Sequence, residues 1–186
     1  MLKLQEKYIK EAMPKMMEQF KYKNKMAVPK LKKVVVNFGF GKMTAGKTSS
    51  EREKIMNSFS NFLSLITGQK PVLTKAKKSI AAFKLRKGVP IGFKTTLRKK
   101  RMFDFLERLI WIVLPRTRDF KGISPSSIDK EGNLTLGFKD YSPFSEIVVE
   151  KGSGIFGLEI TIVTNSKQQE RGLEFLKLMG FPIIRI

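Results

Sequence analysis

Between Lys33 and Phe38 the chain alternates: Val34, Val36 and Phe38 fall on one side of an extended backbone, and Lys33, Val35 and Asn37 on the other. The same period of two recurs where Phe93, Thr95 and Leu97 oppose Lys94, Thr96 and Arg98. A strand with one polar-leaning side belongs to a sheet buried on one face. That is the habit of antiparallel sheets, whereas parallel sheets, covered on both faces, carry nearly continuous apolar strands. Further strands read from PVLTKAK, NLTLGFKD and GLEITIVTN, each bounded by Gly, Pro or Asn. The predicted fold class is α+β: a mostly antiparallel sheet with helices packed on one face, an open second face, and a long basic loop between two strands. With no internal repeat and no low-complexity linker, residues 1–186 are expected to form a single domain.

The helices follow from the longer period. Leu2, Ile9, Met13, Met16, Met17 and Phe20 space an amphipathic N-terminal helix over about 2–20, in which the methionines are packing residues and Pro14 marks either a kink or a late start. Ser50 with Glu53 reads as a capping box opening a second helix, whose core stripe is Ile55, Met56, Phe59, Phe62, Leu63 and Ile66 and whose stop is Gly68. A third helix, about 102–114, is apolar on most sides; the pattern predicts a buried Trp111 and a stop at Pro115. A last helix, about 167–179, takes Ser166 and Gln169 as its capping box and Gly180 as its stop.

Charge narrows the function. The 37 Lys and Arg against 16 Asp and Glu leave a formal +21, the balance of a polyanion-binding protein. The absence of Cys and His removes disulfides, thiolate and imidazole catalysis and the ordinary zinc ligands, so no metal or cofactor is expected. The most apolar run, LIWIVLP, is too short to span a bilayer, and MLKLQEKYIKEAM lacks a secretory apolar core. A cytoplasmic protein without a membrane partner is the expectation.

The octapeptide GKMTAGKT, Gly41 to Thr48, satisfies G-x-x-x-x-G-K-[ST] between a strand and a helix, so a small P-loop nucleotide-binding protein is the alternative reading. A nucleotide hydrolase also needs an acid at the end of a neighbouring strand to hold magnesium. Between Glu53 and Asp104 there is none, and a helix opened near Ser50 would start too late to aim its free N–H groups at a phosphate. Gly-Lys-Thr in a lysine-rich turn is then a coincidence, and the chain is expected not to be an enzyme.

The stronger signal is the acid-free stretch GQKPVLTKAKKSIAAFKLRKGVPIGFKTTLRKKR, which holds twelve Lys or Arg residues. Each that neutralises a phosphate adds about one unit to the salt slope of binding. Lys94, Thr96 and Arg98, with Lys33 and Asn37 of the earlier strand, would place amide, hydroxyl and cationic donors on one sheet face, suited to phosphates, ribose hydroxyls and base edges of a structured RNA. The connection at about 77–91 is long for a hairpin, and connections of that length are usually functional or disordered.

The strings VVVNFGFG, GQKPVLTKAKKSIAAFKLRKGVPIGFKTTLR, RMFDFLERLI and PRTRDFKGIS, with the spacing to FSEI and GLEITIVT, closely resemble the bacterial form of large-subunit ribosomal protein five. The likeness runs from about Leu4 to Ile184. It implies an RNA-binding structural protein that holds 5S rRNA on its open sheet face and docks it onto 23S rRNA in the central protuberance, among the other proteins there. It also implies contact with P-site tRNA and a bridge to small-subunit ribosomal protein thirteen. Carried onto matching positions, the resemblance makes Asn37, Gln69, Thr96 and Arg98 the 5S rRNA contacts, with Lys33 and Lys94 in support. Lys77, Lys78, Ser79, Phe83, Lys84 and Arg86 become the tRNA-facing loop. The bridge falls in the later loops, including Tyr141 to Gly154. Taken alone, Asn37 would also serve to end an edge, Gln69 to cap a helix and Thr96 as an ordinary strand threonine.

Overall fold

In a computed structural model, residues 3–44, 47–83, 85–146 and 156–184 are described, apart from the side chains of Lys42 and Ser49. Five strands, β1 (Leu31–Gly39), β2 (Val72–Lys75), β3 (Pro90–Leu97), β4 (Leu134–Phe138) and β5 (Leu158–Thr164), form one antiparallel sheet in the order β2-β3-β1-β5-β4. The α+β class and the one-sided burial hold: along β4 and β5 every second residue, Leu134, Leu136, Phe138, Leu158, Ile160 and Ile162 among them, is buried. Among the described residues no helix is long and apolar enough to cross a membrane.

Contacts divide the chain into two compact units, and β1, β3, β4 and β5 each pass from one to the other. Unit 1 comprises Met1–Val34, Leu97–Leu136 and Thr161–Ile186. Its first helix, α1, runs Leu4–Lys7, widens through a π-helical turn Tyr8–Ala12 and resumes at Met13–Gln19. Pro14 lies just past the widened turn, where the Met13 N–H donates to the Tyr8 carbonyl, so the helix neither ends at the proline nor starts there. The wider turn shifts the hydrogen-bond ladder that the proline ring and missing N–H would otherwise break. Met16 is fully buried, while Met13 and Met17 are half-buried.

The same device recurs in α4, which runs Lys99–Arg108, widens at Leu109–Val113 and continues over Leu114–Arg116. Pro115 therefore does not stop this helix. The extra residue of a π turn rotates the next residues out of the α-helical phase, and Trp111 and Ile112 face solvent at 47% and 41% exposure while Leu109, Ile110, Val113 and Leu114 are buried. The expected burial of Trp111 is thus overturned. The helix α5 (Gln169–Met179) ends at Gly180, whose φ of +100° is the left-handed stop a glycine accepts best. No Ser166–Gln169 box opens it: the Ser166 hydroxyl donates to the Glu131 carbonyl and the Gln169 amide to the Ile128 carbonyl, because both are drawn to the turn before β4.

Unit 2 comprises Val35–Thr96 and Gly137–Ile160. A single helical turn, α2 (Gly41–Thr44), precedes α3 (Ser49–Thr67), whose end is Gly68 at φ +64°. Its core is aromatic: Phe38 lies 4.6 Å from Phe59 and 4.7 Å from Phe156 between ring centroids, and Tyr141 stacks on Phe156 at 4.4 Å. Edge-to-face and offset pairs of this kind add to the burial of the rings themselves.

Candidate nucleic-acid interface

In unit 2 the β2–β3 register pairs Val72 with Lys94, Leu73 with Phe93 and Thr74 with Gly92. Phe93 and Thr95 are therefore buried, while Lys94 is exposed and Thr96 half-buried on the other face beside Val72 and Thr74. Asn37 is exposed on β1, and its Nδ2 donates to the Glu159 carboxylate of β5 at 3.1 Å. Gln69, the residue after the Gly68 stop, is half-buried and its Nε2 donates to the Thr96 carbonyl at 3.4 Å. The end of α3 thus lies against β3, and Gln69 and Thr96 come together. The Thr67 hydroxyl donates to the Leu63 and Gln69 carbonyls, fixing the backbone that carries Gln69.

Two contributors were not foreseen. Glu159 sits where the alternation Glu159, Thr161, Val163 would have placed it, a carboxylate that orients the Asn37 amide and lowers the positive potential beside it. Val72, 60% exposed, puts an apolar side chain on the same face as Lys94.

In unit 1, Lys33 is half-buried on β1, and Arg98 is exposed in extended conformation (φ −141°) immediately before α4. The Thr135 and Thr161 hydroxyls lie 3.4 Å apart on β4 and β5, on the solvent-facing alternation of both strands. Each unit therefore presents hydroxyl and cationic donors on the face opposite its buried strand positions.

The basic connection folds into a short hairpin. Ala76 exchanges backbone bonds with Val89 and Gly88, Ile80 and Leu85 donate to one another, and the Lys87 N–H donates to the Ser79 hydroxyl at 2.9 Å. Residues Ala81–Phe83 make a 3-10 turn, with Phe83 71% exposed and Lys77, Lys78, Ser79 and Arg86 also exposed. Lys84 lies outside the described residues, as do positions 147–154 of the expected bridge segment.

GKMTAGKT does not form a phosphate cradle among its described residues. The Met43 and Thr44 N–H groups donate to the Phe40 carbonyl, and the Lys47 N–H to that of Thr44. A cradle needs those amides turned toward the anion. The helix begins at Ser49, with Thr48 as its cap, earlier than the Ser50–Glu53 spacing suggests. The Thr48 N–H and hydroxyl both donate to Glu51, at 2.9 and 2.8 Å. Those two bonds, backbone first, hold the Glu51 carboxyl below its ordinary value, and nearby Lys47 adds to the effect. The hydroxyl a phosphate loop would offer to magnesium is thus engaged with a carboxylate.

Residues 24–86 match the family described as Ribosomal protein L5, and residues 90–183 match the C-terminus of the same ribosomal family. The chain belongs to the ribosomal protein L5 family. Among its L5-family relatives, the large ribosomal subunit protein uL5 of Geotalea daltonii is 51% identical over 182 residues, 98% of each chain. That of Caldanaerobacter subterraneus subsp. tengcongensis is 49% identical over 185 residues, 100% of both chains. That of Halothermothrix orenii is 48% identical over 179 residues, 96% of this chain and 97% of its own. The two L5 segments adjoin at the basic hairpin, the first ending at Arg86 and the second opening with Pro90, the first residue of β3.

Proposed function

We propose that this chain is a non-catalytic structural constituent of the large subunit of the cytoplasmic ribosome, and that residues 1–186 act there as one ribosomal protein domain. It binds 5S rRNA through the open sheet face, using Lys33, Asn37, Gln69, Lys94, Thr96 and Arg98. It thereby anchors 5S rRNA to 23S rRNA in the central protuberance, beside the other proteins assembled there. The basic hairpin, with Lys77, Lys78, Ser79, Phe83, Lys84 and Arg86, reaches P-site tRNA. Later loops contribute to a bridge with small-subunit ribosomal protein thirteen. The observation that carries the reading is family membership at about half identity over nearly the whole length. A formal charge of +21 and a donor-lined face opposite the core support the RNA contact.

Donors rather than aromatic rings on that face favour recognition of a folded RNA by backbone and minor-groove contacts. The test is binding to 5S rRNA over a salt series with excess unrelated RNA, with the double variant Thr96→Ala, Arg98→Ala in parallel. Competitor-resistant binding is expected. Removing Arg98 should lower the salt slope by about one if it neutralises one phosphate. Equal loss of affinity for every RNA as salt rises, unaffected by the double variant, would leave only a polybasic surface.

A further inference from the structure

The widened turn of α4 leaves an indole on the surface of unit 1. Trp111 is 47% and Ile112 41% exposed, and among the described residues no aromatic ring or guanidinium stacks on the Trp111 ring. Helical neighbours at three and four residues share a face. Across the widened turn the four-residue spacing is the one that keeps a face, and it sets Arg108 and Arg116 beside Ile112 and the exposed Pro115 beside Trp111. Arg118 comes next, with its side chain 95% exposed and its contact to Asp119 a long 3.8 Å. A pair so open to solvent holds its members weakly.

We propose that this patch is a second RNA contact, in which Trp111 stacks an unpaired nucleobase while the exposed Arg116 and Arg118 hold the flanking phosphates. The charge chooses the occupant. A second copy of the chain would bring two arginine-rimmed faces together on molecules of formal charge +21 each. An apolar protein segment would cover the indole and desolvate the basic rim at a cost that nothing apolar offsets. Single-stranded RNA satisfies both halves of the patch, since every base offers a π face and every linkage a phosphate. The contact lies apart from the residues assigned to 5S rRNA, so failure of the Thr96 and Arg98 test leaves it standing.

Trp111 is the chain's one tryptophan, and its emission reports on its own site. The full chain is titrated with a short oligoadenylate and with an abasic oligomer of equal length, at a salt concentration where the abasic oligomer no longer binds. The expected result is saturable quenching by oligoadenylate alone. Read by the anisotropy of end-labelled oligoadenylate, because these variants lack the tryptophan, Trp111→Ala should weaken that binding on the order of tenfold, the scale of losing one base–aromatic stack, while Trp111→Phe keeps most of it. Thermal unfolding of both variants checks that they are folded. Equal quenching at low salt by the abasic oligomer would overturn the proposal, as would unchanged affinity in Trp111→Ala. A concentration-dependent dimer in sedimentation that Trp111→Ala abolishes would assign the face to a second copy instead.

Discussion

Gly132 and Gly172 approach so closely that a Cβ on Gly172 would lie 2.4 Å from the Gly132 Cα and 2.7 Å from its carbonyl oxygen. The contact seats α5 on the turn before β4, and that turn is tied down by the Thr164 hydroxyl, which donates to the Gly132 carbonyl at 3.0 Å.

Gly172→Ala should therefore destabilise the protein although alanine is the better helix former. The propensity gain of about 0.5–1 kcal/mol is outweighed by a backbone clash of the kind that costs about 1–3 kcal/mol. Gly132→Ala should be worse, since Gly132 also has φ +79°. Urea midpoints measure both, and a Gly172→Ala protein as stable as the native one would refute the packing argument.

Phe38 carries the aromatic core of unit 2, being 1% exposed and in ring contact with Phe40, Phe59 and Phe156. Phe38→Ala should cost about 3–5 kcal/mol and Phe38→Leu distinctly less. Near-equal urea midpoints for the two variants would mean that the cluster relaxes around the lost ring.

Asp129 sets a pH dependence. Burial acts to raise its pKa, but the Asn133 side-chain amide, the Asn133 N–H and the N–H groups of Glu131 and Gly132 outweigh burial and hold it below the ordinary value. A carboxyl depressed in the folded state adds stability that is full above its unfolded pKa and is lost as pH falls through the folded one. The stability gap between the native protein and Asp129→Ala should be constant near neutral pH and narrow in the acid range. A gap that stayed constant down to acid unfolding would remove Asp129 from the turn's electrostatics.

Magnesium-nucleotide binding should be undetectable by calorimetry in the native chain and unchanged by Lys47→Ala, because the Met43, Thr44 and Lys47 amides and the Thr48 hydroxyl already have partners. Saturable binding abolished by Lys47→Ala would restore the phosphate-loop reading.

Much of the fold was written locally. The period-two runs located the strands and separated the buried side from the solvent side, because a pleated backbone sends alternate side chains to opposite faces whatever surrounds it. Gly68 and Gly180 stop their helices as expected, since the left-handed conformation is a property of the residue itself. On the candidate face, the exposure of Lys94 and Arg98 followed from the same alternation. The joining of Gln69 to Thr96 and the clamp of Glu159 on Asn37 did not, being contacts between residues far apart in the chain.

Helix boundaries were ambiguous for a local reason. Thr48 with Glu51 and Ser50 with Glu53 have the same cap spacing, and the structure uses the first pair.

Residue type and backbone period were enough to give the one-sided antiparallel sheet, the excess of positive charge and the exclusion of cysteine and histidine chemistry, because none of these depends on distant neighbours. Strand order, the glycine contact under α5 and the passage of α1 and α4 through Pro14 and Pro115 came from packing across the fold. A proline removes one N–H and crowds one carbonyl, and whether the helix breaks or widens there depends on what packing gains by continuing. In α4 it widened, buried Val113 and Leu114, and left Trp111 facing water.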